Sequence, residues 1–571
     1  MDNAAVAALL DRIRLLLEMK GENPYRIRAY QRAVETVNTL PEQLTELRRH
    51  RSIAGLPNIG AGIAETIEEA LDGKQIPLLE ELHREFPPGV VSLMSVSGVG
   101  PKLAARVYQD LGVQSVDALA EVARDGRLAG LPRVGAKTAA NILRNVEALR
   151  ERGSRLPLDA AIPIVAAVTA ALGASPHTHN LTPAGSFRRL QETVGDLDLI
   201  GTSDDPAAVM DLLVGLPIVR QVIAHGPTKT SVVIDPGVQL DLRLVEDRDF
   251  GSLLQHFTGS QAHNIELREY AVARGRKVRE YGILDVATGQ ESHFAREEDV
   301  YAHLGLQYIP PELRQGVGEV ELAARHALPR LVEVSDMRGD LHMHTTASDG
   351  KNTLEEMVAA AQARGYAYVA IADHSGGLSV AGGLSIERLR ARGAEIAALN
   401  RRLDGFRVLS ASEVDIRANG ELDYPDDVLE GLDLVVASIH SAMGQDEETM
   451  TRRLLAAIEN PHVDIIGHPT ARIVGHREPV RFDRAAVFAA AARTRTALEV
   501  NAHPSRLDLK DTDVRLARES GCLLTIDTDA HTVANLDLMV YGVGTARRGW
   551  AEPKDILNTR PLPELLAWLK R

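Results

Sequence analysis

Gly185-Ser186-Phe187-Arg188-Arg189-Leu190-Gln191-Glu192-Thr193-Val194-Gly195-Asp196-Leu197-Asp198-Leu199-Ile200 is the stretch on which the reading of the chain turns. Asp196 and Asp198 stand two apart in an apolar run. In a strand that spacing puts both carboxylates on one face and Leu197 and Leu199 on the other. Adjacent acids repel, and they stay ionised at low cost when a divalent cation lies between them, so the pair predicts a Mg²⁺ or Mn²⁺ site of oxygen ligands. Upstream, Gly185 and Ser186 offer close backbone approach and amide donors, and Arg189 offers a guanidinium fork; together they suit a phosphate chain. Taken alone, Gly-Asp-x-Asp is more often a turn running into a surface strand, and the neighbouring motifs decide against that. Asp241, in the alternating run Val238-Gln239-Leu240-Asp241-Leu242-Arg243-Leu244, supplies a third acid for a two-metal site that activates an attacking hydroxyl and steadies a leaving pyrophosphate.

Phe257-Thr258-Gly259-Ser260 follows, four residues before Asn264. The ordered set, Gly-Ser-x-Arg-Arg, Asp-x-Asp, Asp-x-Arg and Phe-Thr-Gly, resembles the family X DNA polymerases, the group that contains DNA polymerase beta. The resemblance implies that Asp196, Asp198 and Asp241 are catalytic and hold the metals, and that Gly185, Ser186 and Arg189 position a deoxynucleoside triphosphate. It also implies that Phe257, Gly259 and Asn264 line the sugar and base. Lys229, after His225-Gly226-Pro227-Thr228, would sit near the nucleotide or template strand, and Arg268 would reach the minor-groove side of the nascent pair. His256 stands where polymerase beta carries a tyrosine; it either guards the 2′-position or only packs.

At 571 residues the chain is too long for one core, so three or four domains are expected. No apolar run reaches the ~18 residues of a membrane span. The opening Met1-Asp2-Asn3, with Arg12 and Arg14 behind it, is neither a signal peptide nor an anchor, so a cytoplasmic, nucleoid-associated monomer is expected. The one cysteine, Cys522, is expected to pack as a small buried hydrophobe. A formal charge of −15 counts against a nucleic-acid partner. Residues 1–150, however, carry 19 basic and 19 acidic side chains, so the whole excess lies beyond them and part of it is metal ligand. Modest, salt-sensitive DNA affinity concentrated in the N-terminal region follows.

That region reads as a string of small helices and repeats one unit three times: Leu56-Pro57-Asn58-Ile59-Gly60-Ala61-Gly62, Val96-Ser97-Gly98-Val99-Gly100-Pro101-Lys102 and Leu131-Pro132-Arg133-Val134-Gly135-Ala136-Lys137. Each resembles a helix-hairpin-helix, a Gly-rich turn that aims helix N-terminal amides at a DNA phosphate. Gly60, Gly62, Gly98, Gly100, Lys102, Arg133, Gly135 and Lys137 are the candidate DNA contacts. A single copy is equally a plain inter-helix turn; three copies about forty residues apart favour DNA. In polymerase beta a lysine of the first such domain forms a Schiff base with the sugar phosphate. Thr66 takes that place here and Gly62 that of the neighbouring lysine. A hydroxyl cannot do an amine's chemistry, so deoxyribose-phosphate lyase activity is expected to be absent or weak.

Nine of the 19 histidines fall in residues 338–571, most at the ends of short apolar runs separated by Ala-rich helical stretches. Repeated βα units with ligands at strand C-termini predict a TIM-like barrel whose mouth binds transition metals. The segment resembles the polymerase and histidinol phosphatase domain, which implies a cluster of up to three Zn²⁺ or Mn²⁺ ions. The nine ligands would be His342, His344, Asp349, His374, Glu413, His440, His468, Asp529 and His531, with Glu413 bridging. It implies 3′-5′ exonuclease activity, with phosphatase or abasic-site nuclease activity beside it. His476 near Arg472 and His503 near Arg506 either meet substrate phosphate or lie on the surface; surface placement is the expectation.

The expected architecture is multidomain α/β: an N-terminal helical domain (1–90), a helix-hairpin-helix subdomain (91–152), a nucleotidyltransferase palm with a mixed sheet (153–245), a small α+β thumb (246–315), a helical charged linker (316–337) and the barrel (338–571). The expected function is gap-filling polymerisation on gapped or primer-template DNA in repair, with trimming of 3′ ends. Two alternatives are a phosphatase or nuclease with an inactive palm, and a non-templated nucleotidyltransferase.

Overall fold

The computed structural model describes residues 3–40, 44–49, 52–96, 98–131, 134–151, 155–378 and 381–569. It divides into two compact units, one of Met1–Ser154, Val214–Ala224 and Ser231–Leu240, the other of Arg155–Leu213, His225–Thr230 and Asp241–Arg571. Among the described residues no helix is long and apolar enough to cross a membrane.

The first unit opens with helices Asn3–Lys20 and Pro24–Thr39. Leu10, Ile13, Leu16 and Leu17 are buried at helical spacing. The second helix starts at a proline, and the Asn23 side chain accepts from the Tyr25 amide at 2.9 Å. One backbone hydrogen bond recurs at all three Gly-rich turns. The Ile59, Val99 and Val134 amides donate to the Leu56, Val96 and Leu131 carbonyls at 3.3, 2.9 and 3.0 Å. Those three apolar side chains point inward, and helices Ala61–Leu71, Pro101–Leu111 and Ala136–Glu151 begin at once.

In the second unit the predicted palm has helix Leu158–Gly173 with strands Thr178–Pro183 and Leu197–Ser203 paired antiparallel, and residues 241–245 of strand Val238–Val245 belong to the same unit. Val238–Val245 alternates strictly: Leu240, Leu242 and Leu244 are buried, whereas Asp241 and Arg243 share the wetter face. The thumb holds helices Phe250–Thr258, Gln261–Val272 and Glu297–His303 with a three-stranded sheet. Its core takes in Val320 and Ala323 from the segment that follows.

Seven parallel strands run in sequence order from Gly339–Met343 to Leu524–Asp527, and a bridge between Met343 and Ala530 nearly closes them into a barrel. Every residue of the Gly339–Met343, Tyr368–Ile371, Leu434–Ser438, Ala497–Asn501 and Leu524–Asp527 strands is buried, as strands covered on both faces must be. Leu565 and Trp568 of the last helix, Leu562–Leu569, pack with the inward Leu341, Tyr368 and Leu409, so the barrel interior is a filled core. Cys522 is buried as expected; its thiol donates to the Phe488 carbonyl, and burial pushes it up to about 12.

Candidate active sites

The palm strand begins at Leu197, with Asp196 in the bend before it. Asp196 therefore reaches the site from a turn rather than as a strand neighbour of Asp198. Asp198 still feels both partners: burial first, then the charges of Asp196 and Asp241, raises it to about 7. The three carboxylates are not drawn within 4.8 Å of one another as a set. Lys229 stands among them, its Nζ 3.1 Å from Asp241 Oδ2. Gly185 closes the other side. Its φ is +59°, and a Cβ there would lie 2.7 Å from Asp198 Oδ2, so only glycine lets the motif's backbone come this near the carboxylate.

Arg189 is pulled down to about 10 by burial and by Arg548 and Arg314, and donates to the Thr258 carbonyl. Gly259, at φ +64°, makes room: a Cβ there would stand 3.2 Å from Arg189 Nη1. The phosphate motif and the Phe-Thr-Gly turn thus lock together. Phe257 lies under the Arg243 guanidinium, 4.1 Å away. Asn264 bridges the turn, accepting from Gln255 and donating to the His256 carbonyl, each at 2.8 Å. His256 meets Phe257 edge-on, and burial lowers it. Arg268 is exposed.

In the helical unit, Gly60, Gly62, Gly100 and Gly135 are exposed with open space where a Cβ would stand, Gly98 has φ +89°, and Lys102 is exposed. Arg133 lies outside the described residues. Lys137 begins its helix one residue in. Thr66 is buried, its hydroxyl donating to the Gly62 carbonyl at 3.0 Å.

In the barrel all nine predicted side chains converge. Among the described residues three groups have ligand atoms within 4.8 Å of one another: His344, Asp349, His374 and His531; His342, His344 and Asp529; and His374, Glu413 and His440. His468 joins through Glu413 Oε1 at 3.0 Å. Glu413 is the hub: Oε1 also faces His440 at 3.2 Å, while Oε2 faces His374, His342 and His344 at 2.8, 3.4 and 3.6 Å. His374 Nδ1 and Glu413 Oε2 are close without hydrogen-bonding geometry, and both atoms, with His342 Nε2, His344 Nδ1 and His468 Nδ1, are buried without a hydrogen-bond partner. Such orphans would cost about 1–3 kcal/mol each; three of them, His342 Nε2, His374 Nδ1 and Glu413 Oε2, face one another as the ligands of a divalent cation would, while His344 and His468 turn Nε2 to Glu413. The charges agree. Burial works against ionising Glu413, yet the surrounding histidines hold it well below the usual carboxylate range. Burial likewise opposes protonation of His374 and His440, but Glu413 lifts them to about 10 and about 9. His344 and His468 are driven down by burial, to about 4 and about 3.

Residues 1–76 match the helix-hairpin-helix domain family, 90–148 the SAM-like helix-hairpin-helix tandem, 253–315 the DNA polymerase beta thumb and 340–503 the PHP domain. Over an alignment of 573 positions that covers both chains in full, the sequence is 41% identical to the DNA polymerase/3′-5′ exonuclease PolX of Bacillus subtilis (strain 168). The chain is a family X DNA polymerase with a PHP domain. Shorter matches include a probable phosphatase of Shewanella sediminis, 30% identical over 41% of this chain and 93% of that one. Another, from Caldicellulosiruptor bescii, is 30% identical over 34% of this chain and 81% of that one.

Several residues of this family X polymerase escaped the sequence reading. Glu297 takes both Arg188 guanidinium nitrogens at 2.9 Å, Arg314 at 2.5 Å and the Tyr308 hydroxyl at 2.9 Å, tying the Gly-Ser motif to the thumb. Behind the predicted barrel ligands, Glu499 Oε1 lies 2.7 Å from His342 Nδ1 and Asp415 Oδ1 lies 3.2 Å from His440 Nδ1, fixing which ring nitrogen turns to the cavity. A carboxylate in the apolar run Ala497-Leu498-Glu499-Val500 was the available signal. His476 is exposed as expected. Arg506 instead lines the cavity among the barrel histidines, a space of about 260 Å³, and Arg472 is buried.

Proposed function

We propose that this polymerase fills short gaps in DNA by templated nucleotidyl transfer in the palm and removes 3′ nucleotides at the barrel mouth. The observation that carries the reading is the pairing, in one chain, of Asp198 packed against Gly185 with nine converging histidines and carboxylates on a parallel barrel, against a full-length relative named for both activities. The proposed partition is that of the sequence: helical domains to 152, palm to 245, thumb to 315, linker to 337 and barrel to the end.

Asp196, Asp198 and Asp241 would hold Mg²⁺ or Mn²⁺, and the nine barrel residues up to three Zn²⁺ or Mn²⁺ ions. Bound cations would supply Lewis acidity and lower the pKa of a primer hydroxyl or a water. The chain's own side chains do the rest. Gly185, Ser186 and Arg189 seat the triphosphate, and Phe257, Gly259 and Asn264 shape the pocket for sugar and base. Lys229 and Arg268 reach DNA, and the three Gly-rich turns hold backbone phosphates through Gly60, Gly62, Gly98, Gly100, Gly135, Lys102, Arg133 and Lys137 without reading sequence. Glu413 spans the histidines as the bridging carboxylate. The protein acts as a monomer in the cytoplasm, on nucleoid DNA. The probable phosphatases favour one second reading, that the barrel also takes small phosphomonoesters.

The test is a pair of substitutions on gapped and recessed duplexes. Asp198→Ala should abolish nucleotide addition and leave 3′ degradation; His342→Ala should do the reverse. Normal extension by Asp198→Ala would refute the palm assignment.

A further inference from the structure

Arg506 occupies an unusual place among the residues around the PHP cavity. The cavity walls are otherwise carboxylates, histidines and the apolar Leu378 and Ala381; among the described residues Arg506 is the one arginine or lysine that lines it. Its Nε lies 3.7 Å from Asp529 Oδ2, too long for a hydrogen bond, and its Nη1 is buried without a hydrogen-bond partner. The side chain as a whole is partly exposed at the cavity, and a guanidinium with a nitrogen left without an acceptor has hydrogen-bonding capacity that a ligand can satisfy. The fork geometry of arginine matches two oxygens of a phosphate.

The loop that presents Arg506 is built rather than loose. Arg472, almost fully buried, donates through Nε to the Arg506 carbonyl at 2.8 Å and through Nη2 to the Leu507 carbonyl. Its Nη1 reaches Glu192 Oε2 at 2.7 Å. The Val474 amide donates to the Ser505 carbonyl at 2.7 Å, and Ser505 Oγ lies 2.7 Å from His503 Nδ1. Glu192 belongs to the palm, three residues beyond Arg189 of the triphosphate motif. One buried arginine therefore joins the polymerase motif to the backbone of the loop at the hydrolase mouth.

We propose that Arg506 binds the phosphate of the 3′ nucleotide at the PHP site, and that Arg472, clamped by Glu192 of the palm, is the positioning residue that holds it there. The proposal rests on the barrel being the 3′-5′ nuclease. It makes hydrolase substrate affinity depend on the polymerase body: an isolated barrel loses the Glu192 clamp.

The experiment uses the full chain loaded with Mn²⁺. Metal content is measured by mass spectrometry, binding of dAMP by calorimetry, and kcat and KM for degradation of a single-stranded oligonucleotide by product release. Arg506→Ala should keep its metal, weaken dAMP binding about 10- to 100-fold and lower kcat/KM by a similar factor; Arg506→Lys should recover part of both. Arg472→Met and Glu192→Gln should raise KM several-fold with kcat little changed, a split that general unfolding does not give. If Arg506→Ala folds poorly, Arg506→Met and the lysine variant carry the same comparison. Wild-type dAMP affinity in Arg506→Ala, or loss of metal accounting for its defect, overturns the proposal. A wild-type chain that binds dAMP through Arg506 yet degrades no DNA overturns the nuclease reading instead and leaves the phosphate site standing.

Discussion

Replacing Glu297 by glutamine keeps the side chain's shape and removes its charge. In the folded chain this carboxyl is nearly fully buried. Burial alone would raise it, but Arg314 and Arg188 outweigh burial and take it from 4.5 to about 2. At about 1.4 kcal/mol per pH unit that difference is worth about 3 kcal/mol, within the range found when one partner of a buried pair is removed, roughly 3–5 kcal/mol. The variant strands Arg314, which has no solvent access, against a neutral amide. It also frees Arg188 from its two-pronged grip beside Thr258. Amide exchange in the Glu297–His303 helix should accelerate about a hundredfold, and because Arg188 sits in the triphosphate motif, the KM for deoxynucleotide should rise as well. The sign with pH is fixed: a carboxyl depressed on folding contributes fully above its unfolded value, near 4.5, and loses that contribution as pH falls toward 2. The gap between wild type and Glu297→Gln should thus close in acid. Unaltered exchange in that helix together with an unaltered KM would refute the reasoning.

Asp198, raised to about 7 chiefly by burial, must lose its proton to hold a cation. Primer extension at sub-saturating Mg²⁺ should fall as pH drops through 7, and more Mg²⁺ should move the midpoint to lower pH; a midpoint indifferent to Mg²⁺ would exclude Asp198 as its source. Glu499→Gln, which weakens the support behind His342, should reduce barrel metal affinity about 10- to 100-fold in a chelator competition, and unchanged affinity would make Glu499 a packing residue only. Borohydride trapping with a 5′-deoxyribose-phosphate end should leave residues 1–90 without a strong adduct, since Thr66 offers a buried hydroxyl already donating to Gly62; a strong adduct mapping there would overturn the expectation.

Local spacing was enough to read much of this protein. The alternation Leu240, Asp241, Leu242, Arg243 by itself names a strand and its wet face, because side chains in a strand must alternate. The Gly-rich turns declared themselves by repetition, and the histidines by standing at the ends of apolar runs. Family resemblance then supplied expected roles, and the nine barrel side chains it picks out lie close together. What spacing cannot carry is the choice of distant partners. Glu297 lies 109 residues from Arg188, and nothing in either local pattern joins them. Arg472 and Arg506 look like surface charges in sequence, yet one is buried against Glu192 and the other faces the cavity among the barrel histidines. Even Asp196, read as part of a strand, is in the preceding bend, since strand ends depend on which neighbour offers backbone bonds. Sequence alone determined which chemistry the chain carries, through periodicity and motif order. Tertiary structure decided which charges are buried together, because pairing across a hundred residues is set by packing of whole domains and leaves no local trace.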